Sequence, residues 1–253
     1  MVNADLVGAI EQRISCRAYA NEPIATQALE RIRDETEACA GESGVRFCLH
    51  VPSQDGSNIA LSPKMFAGQP FAYLTCVGPD DARTRELVGY FGERIVLCAT
   101  ALGVGSCWVA GTFDRSATTC DIPDGEALHD VIPLGVPMAS TPLKQRSIRK
   151  AIRAKSKRKE RMYEGPTSLA DAPQWIRAAI DAVWKGPSAV NEQPVVFVQE
   201  SADAPVRTEL PRFRRDLEHT DLGIAKLHFL LGAAAHARPG TWEWGVGGTY
   251  RTE

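Results

Sequence analysis

Two arginines that flank a serine are the first residues in the sequence that could act together chemically. Arg13, Ser15 and Arg17 fall within about one helical turn of one another. Two planar guanidinium groups beside a hydroxyl suit a phosphate or the polar edge of a planar heterocycle. The same residues are also expected at the solvated end of a helix, where the helix dipole favours cations. The motif alone leaves both interpretations open.

A second candidate is the loop at residues 186–194, which reads GPSAVNEQP. Glycine, proline and asparagine predict tight turns, and the short polar side chains and backbone amides between them could face a planar ring. A helical pattern precedes this loop, and the apolar run at 195–199 follows it. Taken alone, the segment is only a loop rich in turn-forming residues.

Helix and strand periodicities alternate through the first half of the chain. Apolar residues at helical spacing predict helices at 5–14, 26–40 and 81–102. Gly41 and Gly103 are the expected ends of the second and third helices. Alternation and short apolar runs predict strands at 45–51, 71–77, 107–110 and 131–136. This order predicts helices packed against a sheet.

The same order restarts after a basic stretch, residues 144–161, in which ten of eighteen residues are Lys or Arg. A helix near 176–184, the loop, a strand at 195–199 and a helix at 221–235 follow. We therefore expect an α+β fold of two fused, pseudosymmetric halves, each a helix-flanked, mostly antiparallel sheet, with the second half shorter. The expected divisions are a first half at 1–143, a basic crossing segment at 144–165 and a truncated second half at 166–253.

Both motifs resemble sequences of the nitroreductase family. QRISCRAYANEPI is similar to that family's opening, R-R-S-x-R-x-F with a following proline, and GPSAVNEQPVVFV is similar to its A-P-S-x-x-N-x-Q-P-W-x-F-V. ERIVLCATALGVGSCWVAGTF resembles the family's long helix ending in L-G-L-G-T-x-W, and VIPLGVP resembles its I-x-x-G-Y-P strand. The resemblance covers most of residues 5–150 and about 173–235, and is to the tandem-fused TM nitroreductase type.

The chain departs from the ordinary family pattern because each motif occurs once. An ordinary member has both motifs in a half-length chain, and its homodimer builds two FMN sites, each taking the arginines from one subunit and the loop from the other. Here the arginine motif stands only in the first half and the loop motif only in the second. The resemblance therefore implies one composite FMN site per chain, with the pseudosymmetric second site lost.

Site residues follow from the resemblance position by position. Arg13 and Arg17 would bind the FMN phosphate and ribityl edge, and Ser15 the ring or ribityl oxygens. The remaining positions would contact the isoalloxazine (Pro187, Ser188, Asn191 and Gln193), its N5 region (Ala110, Gly111 and Thr112) and the phosphate (Lys144 and Arg146). Backbone N–H groups near N5 would stabilise negative charge on the reduced ring.

The activity implied by this resemblance is that of an FMN-dependent oxidoreductase. NADH or NADPH would reduce the flavin, and a small electrophile such as a nitroaromatic, quinone or enone would take the electrons in a ping-pong sequence. No catalytic side chain is expected, because the flavin performs the hydride chemistry and neither His50 nor His129 has the sequence context of a triad. Alternatives are a degenerate relative without flavin that serves as a ligand-binding or interaction module, and nucleic-acid binding through the basic segment.

Composition argues against some of the possible partners, sites and locations. The net charge of −2 argues against a nucleic-acid or membrane partner, and the basic segment, without interleaved aromatic residues, is better interpreted as a solvated crossing helix. Seven scattered cysteines without a CxxC pair argue against disulfides and metal sites. No secretory signal or membrane span is evident, so we expect a cytoplasmic protein. We also expect a monomer, because the fusion supplies the dimer interface internally, and we interpret Cys16 and His228 as buried packing residues.

Overall fold

The computed structural model describes residues 4–140, 142–154 and 156–252. The helices are α1 (Ala4–Gln12), α2 (Thr26–Ser43), α3 (Pro52–Asp55), α4 (Ala82–Ala101), α5 (Leu143–Arg153), α6 (Gln174–Lys185) and α7 (Leu217–Ala234). The strands are β1 (Arg46–His50), β2 (Ala72–Pro79), β3 (Gly105–Ser106), β4 (Glu126–Gly135), β5 (Tyr163–Glu164), β6 (Val196–Val198), β7 (Val206–Glu209), β8 (Gly240–Trp242) and β9 (Thr249–Thr252). None of the helices in these ranges is long and apolar enough to cross a membrane.

The strands form two sheets whose orders correspond. The first sheet has the order β1-β2-β4-β3 and is antiparallel throughout. The second has the order β5-β6-β7-β9-β8, in which the last four strands are antiparallel and β5 joins β6 in parallel. Apart from α1 and the short α3 in the first half, and α5 and β5 before α6, chain order in both halves is helix, two strands, helix, two strands. The second half is thus shorter in residues but keeps every element of that order.

Each sheet packs against two helices, and the helices of the two halves pack against each other. One apolar core joins β1, β2 and β4 to α2 and α4, and a second joins β6, β7 and β9 to α6 and α7. The N-terminal helix α1 inserts Leu6 and Ile10 into a third cluster with residues of α4, α6 and α7. The long helices α4 and α7 therefore lie at the centre, between the two sheets.

Glycine allows these central helices to cross closely. A Cβ atom on Gly89 of α4 would lie 2.0 Å from the carbonyl oxygen of Thr220, and one on Gly223 of α7 would lie 1.9 Å from that of Glu86. Beside the crossing, the buried Lys226 Nζ lies 2.6 Å from Glu86 Oε1. The two halves are joined by backbone contact and a buried ion pair as well as by apolar packing.

The predicted elements occur in the predicted order, with two local corrections, but α3, β5 and the strands β7, β8 and β9 of the second sheet were not predicted. Helix α2 continues through Gly41 and ends at Ser43, where Gly44 takes a left-handed φ of 73°. The apolar run at 107–110 is not a strand: only Val109 forms an isolated bridge, to Val131, and the pairing strand β3 lies just before it. Gly103 does follow the end of α4 with a φ of 76°, as predicted.

Candidate functional site

Two adjoining cavities lie where the halves meet. The larger has a volume of about 550 Å³ and the smaller about 270 Å³. The residues that line both are Ser15, Arg17, Ile152, Pro187, Ser188 and Val190. Residues from the N-terminal segment, from α5 and from the loop after α6 therefore enclose one continuous site.

The arginine motif is held by backbone hydrogen bonds on both sides. The Cys16 N–H donates to the carbonyl of Ser106 at 2.7 Å, and the Arg17 carbonyl accepts from the Ala67 N–H at 2.9 Å. Cys16 itself is buried, in the packing role expected for it. Because residues alternate along this extended segment, burying Cys16 leaves Ser15 and Arg17 facing the cavities.

Arg13 connects the motif to the second half of the chain. Its Nη2 donates to the Lys185 carbonyl at the end of α6, at 3.3 Å, and its Nε lies 3.7 Å from Glu93 Oε1. That Nε is buried and has no hydrogen-bond partner among the described residues. Arg17 is half-buried and forms no ion pair within the described chain. Both guanidinium groups thus keep N–H donors that a ligand in the cavity could use. This favours a binding role for the motif over the interpretation as a solvated helix end.

Behind Arg13, Glu93 organises a buried polar network. Its Oε2 accepts from Trp108 Nε1 at 2.7 Å, and its Oε1 lies 2.9 Å from His228 Nε2. His228 Nδ1 lies 3.0 Å from the Ala182 carbonyl. A neutral imidazole has one N–H, so the second contact needs a further proton, either on the ring or on Glu93. His228 is a satisfied core residue, as predicted, and it couples α7 to the arginine motif through Glu93.

The loop after α6 adopts a backbone that most side chains avoid. Val190, Asn191 and Gln193 have φ values of 46°, 60° and 47°. A β-branched residue at positive φ is a true outlier, and such strain is concentrated at functional sites. The Val190 side chain is 50% exposed and lines both cavities, so burial of that side chain does not compensate for the strain.

Two amide side chains hold this loop in place. Gln193 is buried, accepting from the Lys157 N–H at 2.8 Å and donating to the Trp184 carbonyl at 2.8 Å. Asn191 Nδ2 donates to the Ile152 carbonyl at 3.1 Å and to Ser156 Oγ at 2.8 Å. Gln193 therefore stabilises the loop from beneath, while Asn191 joins it to the end of α5.

Helix α5 bridges the two halves above the site. Near its start, the buried Gln145 donates to the Met65 carbonyl at 3.0 Å, and near its end Ile152 lines both cavities. Lys144 Nζ lies 3.5 Å from the Pro63 carbonyl, and Arg146 is exposed. The helix at the head of the basic segment thus contributes an apolar wall to the site, and the two cations expected to reach phosphate lie outside the cavity linings.

The smaller cavity contains two buried acids that sequence reasoning missed. Asp130 of β4 and Asp221 of α7 both line it. Burial raises the pKa of each carboxyl from 3.8 to about 7, and for Asp130 the charge of Asp221 is a second cause of that rise. Asp221 shares the helical stripe of Ile224 and His228, so its position on an otherwise apolar face was a usable signal.

Most predicted site residues come together here. The cavities are lined by Arg13, Ser15, Arg17, Ala110, Gly111, Thr112, Pro187, Ser188 and Asn191. Lys144, Arg146 and Gln193 do not line either cavity. The side-chain amide of Gln193 forms hydrogen bonds with the backbone of Lys157 and of Trp184, so this side chain has a structural role.

Known proteins resemble this chain in sequence and in fold. The family model described as "Putative TM nitroreductase" matches residues 5–233. A "putative nitroreductase" of Thermotoga maritima is 20% identical, with a TM-score of 0.62 over 98% of this chain and 92% of that one. Two further structures match little more than half of this chain. A nitroreductase family protein of Clostridium difficile 630 is 16% identical, with a TM-score of 0.39 over 58% of this chain and 92% of that one. A "putative nitroreductase" of Desulfovibrio desulfuricans in complex with FMN is 20% identical, with a TM-score of 0.40 over 56% of this chain and 94% of that one. A search of curated proteins returned no match.

The likeness to the Thermotoga protein spans nearly the whole of both chains and shows a shared fold. The family model covers all but the ends of the sequence, including both motifs. This chain therefore belongs to the nitroreductase family, in the group described as TM nitroreductases.

Proposed function

We propose that the protein is an FMN-dependent oxidoreductase with one composite flavin site per chain. The observation that carries this proposal is the meeting of the two motifs, which lie about 170 residues apart in sequence, at one pair of cavities. Direct contact between Arg13 and the Lys185 carbonyl joins the segments that hold them. A structural role for either motif would not require both to face the same open space.

The residues present fit FMN. Arg13 and Arg17 supply guanidinium donors for a phosphate, and the buried Nε of Arg13 has no hydrogen-bond partner among the described residues, as expected of a donor that a ligand would satisfy. Pro187, Ser188 and Asn191 offer a rigid surface for a planar ring, and the backbone of 110–112 lines the adjoining cavity. Gln193, Lys144 and Arg146 are not part of this fit.

When bound, the flavin would supply hydride chemistry, with NADH or NADPH as donor and a small electrophile as acceptor. The protein's own contributions are to bind the phosphate, to hold the loop at 186–193 rigid and to shape the smaller cavity. Because donor and acceptor would use the same open space in turn, the kinetics should be ping-pong. The electrophile would be a small molecule such as a nitroaromatic, quinone or enone.

We also propose that the matching sheet orders reflect two fused halves, divided as 1–143, 144–165 and 166–253. The crossing of α4 and α7 then takes the place of a dimer interface, so the chain should be a monomer. Size-exclusion chromatography with light scattering tests this, and an obligate dimer of chains would contradict it.

The function itself is tested by the visible spectrum of the purified protein, followed by heat release and quantitation of flavin. Flavin absorbance that NADH or NADPH bleaches, and that a quinone restores, is the expected result. Arg17→Ala and Asn191→Ala should each lose flavin, since they alter opposite halves of the site. A chain that takes up no FMN after soaking would instead favour a ligand-binding module without flavin.

A further inference from the structure

The smaller cavity is lined by two buried acids that form no ion pair with any described residue. Asp130 and Asp221 are 3% and 5% exposed, and both line it. Neither acid lines the larger cavity, whereas Arg17 lies where the two cavities join. The acids belong to different halves, on β4 and α7.

Two polar atoms at this cavity lack partners. Asp130 Oδ2 and Thr220 Oγ1 are buried and form no hydrogen bond with any described residue. Thr220 is 5% exposed and lines the same cavity. Asp221 Oδ1 accepts only from the Ala189 N–H, at 2.8 Å, among the described residues. Buried polar atoms without partners are rare, and a cavity whose lining residues include two of them indicates a ligand that can form hydrogen bonds.

No cation among the described residues forms an ion pair with either acid, although Arg85 and Arg115 lower the pKa of Asp130. Arg215 also lines the cavity, but its guanidinium pairs with Glu192 at 2.7 Å. The charged and titratable groups that act on the pair are Arg85, Arg115 and Cys76 around Asp130, and Glu218, Arg215 and Glu192 around Asp221. Burial raises the pKa of the Cys76 thiol well above its usual range, so Cys76 stays uncharged.

We propose that the smaller cavity binds a small organic cation, which donates to Asp130 and Asp221 and to the free hydroxyl of Thr220. Met65, Phe66 and Trp108 provide apolar walls for its body. A volume of about 270 Å³ suits a molecule built on a single ring. That this cation is also the electron acceptor rests on the proposed function; its binding does not.

Calorimetry on the full chain with benzylamine, benzyl alcohol and benzoate as probes tests this directly. The three probes share a ring and differ in charge. Benzylamine should bind in preference to the other two, and about tenfold more tightly at pH 8 than at pH 6, since the acids lose their protons across that interval. Benzyl alcohol should show no such dependence. Equal binding of benzoate, or benzylamine affinity that is independent of pH, would overturn the proposal.

Variants locate the binding. Asp130→Asn and Asp221→Asn keep the side-chain shape and should each weaken benzylamine at least tenfold at pH 8. Asp124→Asn makes the same change of charge at an exposed position and should leave binding unchanged. Equal affinity in all three variants would refute the site. Flavin content measured on the same samples separates the two proposals: a chain that binds benzylamine but no FMN keeps the cation site and loses the proposed oxidoreductase function.

Discussion

The close crossing of α4 and α7 gives a sharp prediction for Gly223→Ala. The added methyl would lie 1.9 Å from the Glu86 carbonyl oxygen and 2.6 Å from the Tyr90 nitrogen, both backbone atoms that cannot rotate away. Normal carbon contacts are about 3.5 Å, so the helices must separate. Overpacking typically costs about 1–3 kcal/mol, and separation would also stretch the buried Lys226–Glu86 pair. We expect a loss of about 3 kcal/mol.

The matched control is Gly41→Ala. Gly41 is also inside a helix, but a Cβ there meets nothing within 4 Å. Alanine should therefore stabilise the protein by about 0.5–1 kcal/mol. For a chain of this size, about 2–4 °C in Tm per kcal/mol gives a drop of roughly 6–12 °C for Gly223→Ala and a small rise for Gly41→Ala.

Urea unfolding followed by circular dichroism measures both free energies of unfolding, and flavin content should fall with Gly223→Ala because the crossing assembles the site. Two alanine variants with the same stability would refute the argument that backbone contact at Gly223 sets the distance between the halves.

Three further outcomes are expected. Lys226→Met removes the partner of the buried Glu86 carboxylate and should lower the free energy of unfolding, measured in urea, by about 3–5 kcal/mol. A loss below about 1 kcal/mol would show that the pair contributes little. Since burial raises the pKa of Asp130 from 3.8 to about 7, the folded state binds the proton more tightly, and stability should fall between pH 4 and 7 by up to about 4 kcal/mol. Asp130→Asn should reduce that slope in unfolding measured at pH 5 and 8, and an unchanged slope would contradict it. Arg17→Ala should weaken FMN about 10–100-fold by fluorescence titration, whereas Arg158→Ala, 78% exposed in the basic segment, should leave it unchanged.

The main helices and the strands β1, β2, β4 and β6 could be predicted because periodicity is local in sequence, whereas β7, β8 and β9 were not predicted. Periodicity predicted the length of α4 and the position of Gly103 just after it. The spacing of Arg13 and Arg17 indicated that they lie together, and both line the cavities. Their meeting with the loop after α6 followed from the family's pattern of sharing a site between halves.

What could not be predicted depends on contacts between distant segments. Helix α4 buries Glu86 and Glu93 on the face opposite its apolar stripe, because that face packs against α7 in the other half. The amide of Gln193 suggested a ring contact, but it is bonded to backbone groups of Lys157 and Trp184. The strained φ of Val190 has no sequence signal, since valine rarely adopts it.

The composite site itself is tested most directly by titrating flavin-free protein with FMN and counting equivalents bound. The account predicts one FMN per chain, because the arginine motif and the loop motif meet once. Two equivalents per chain would show that the second pseudosymmetric site is intact, and none would show that the cavities between the halves hold something other than a flavin.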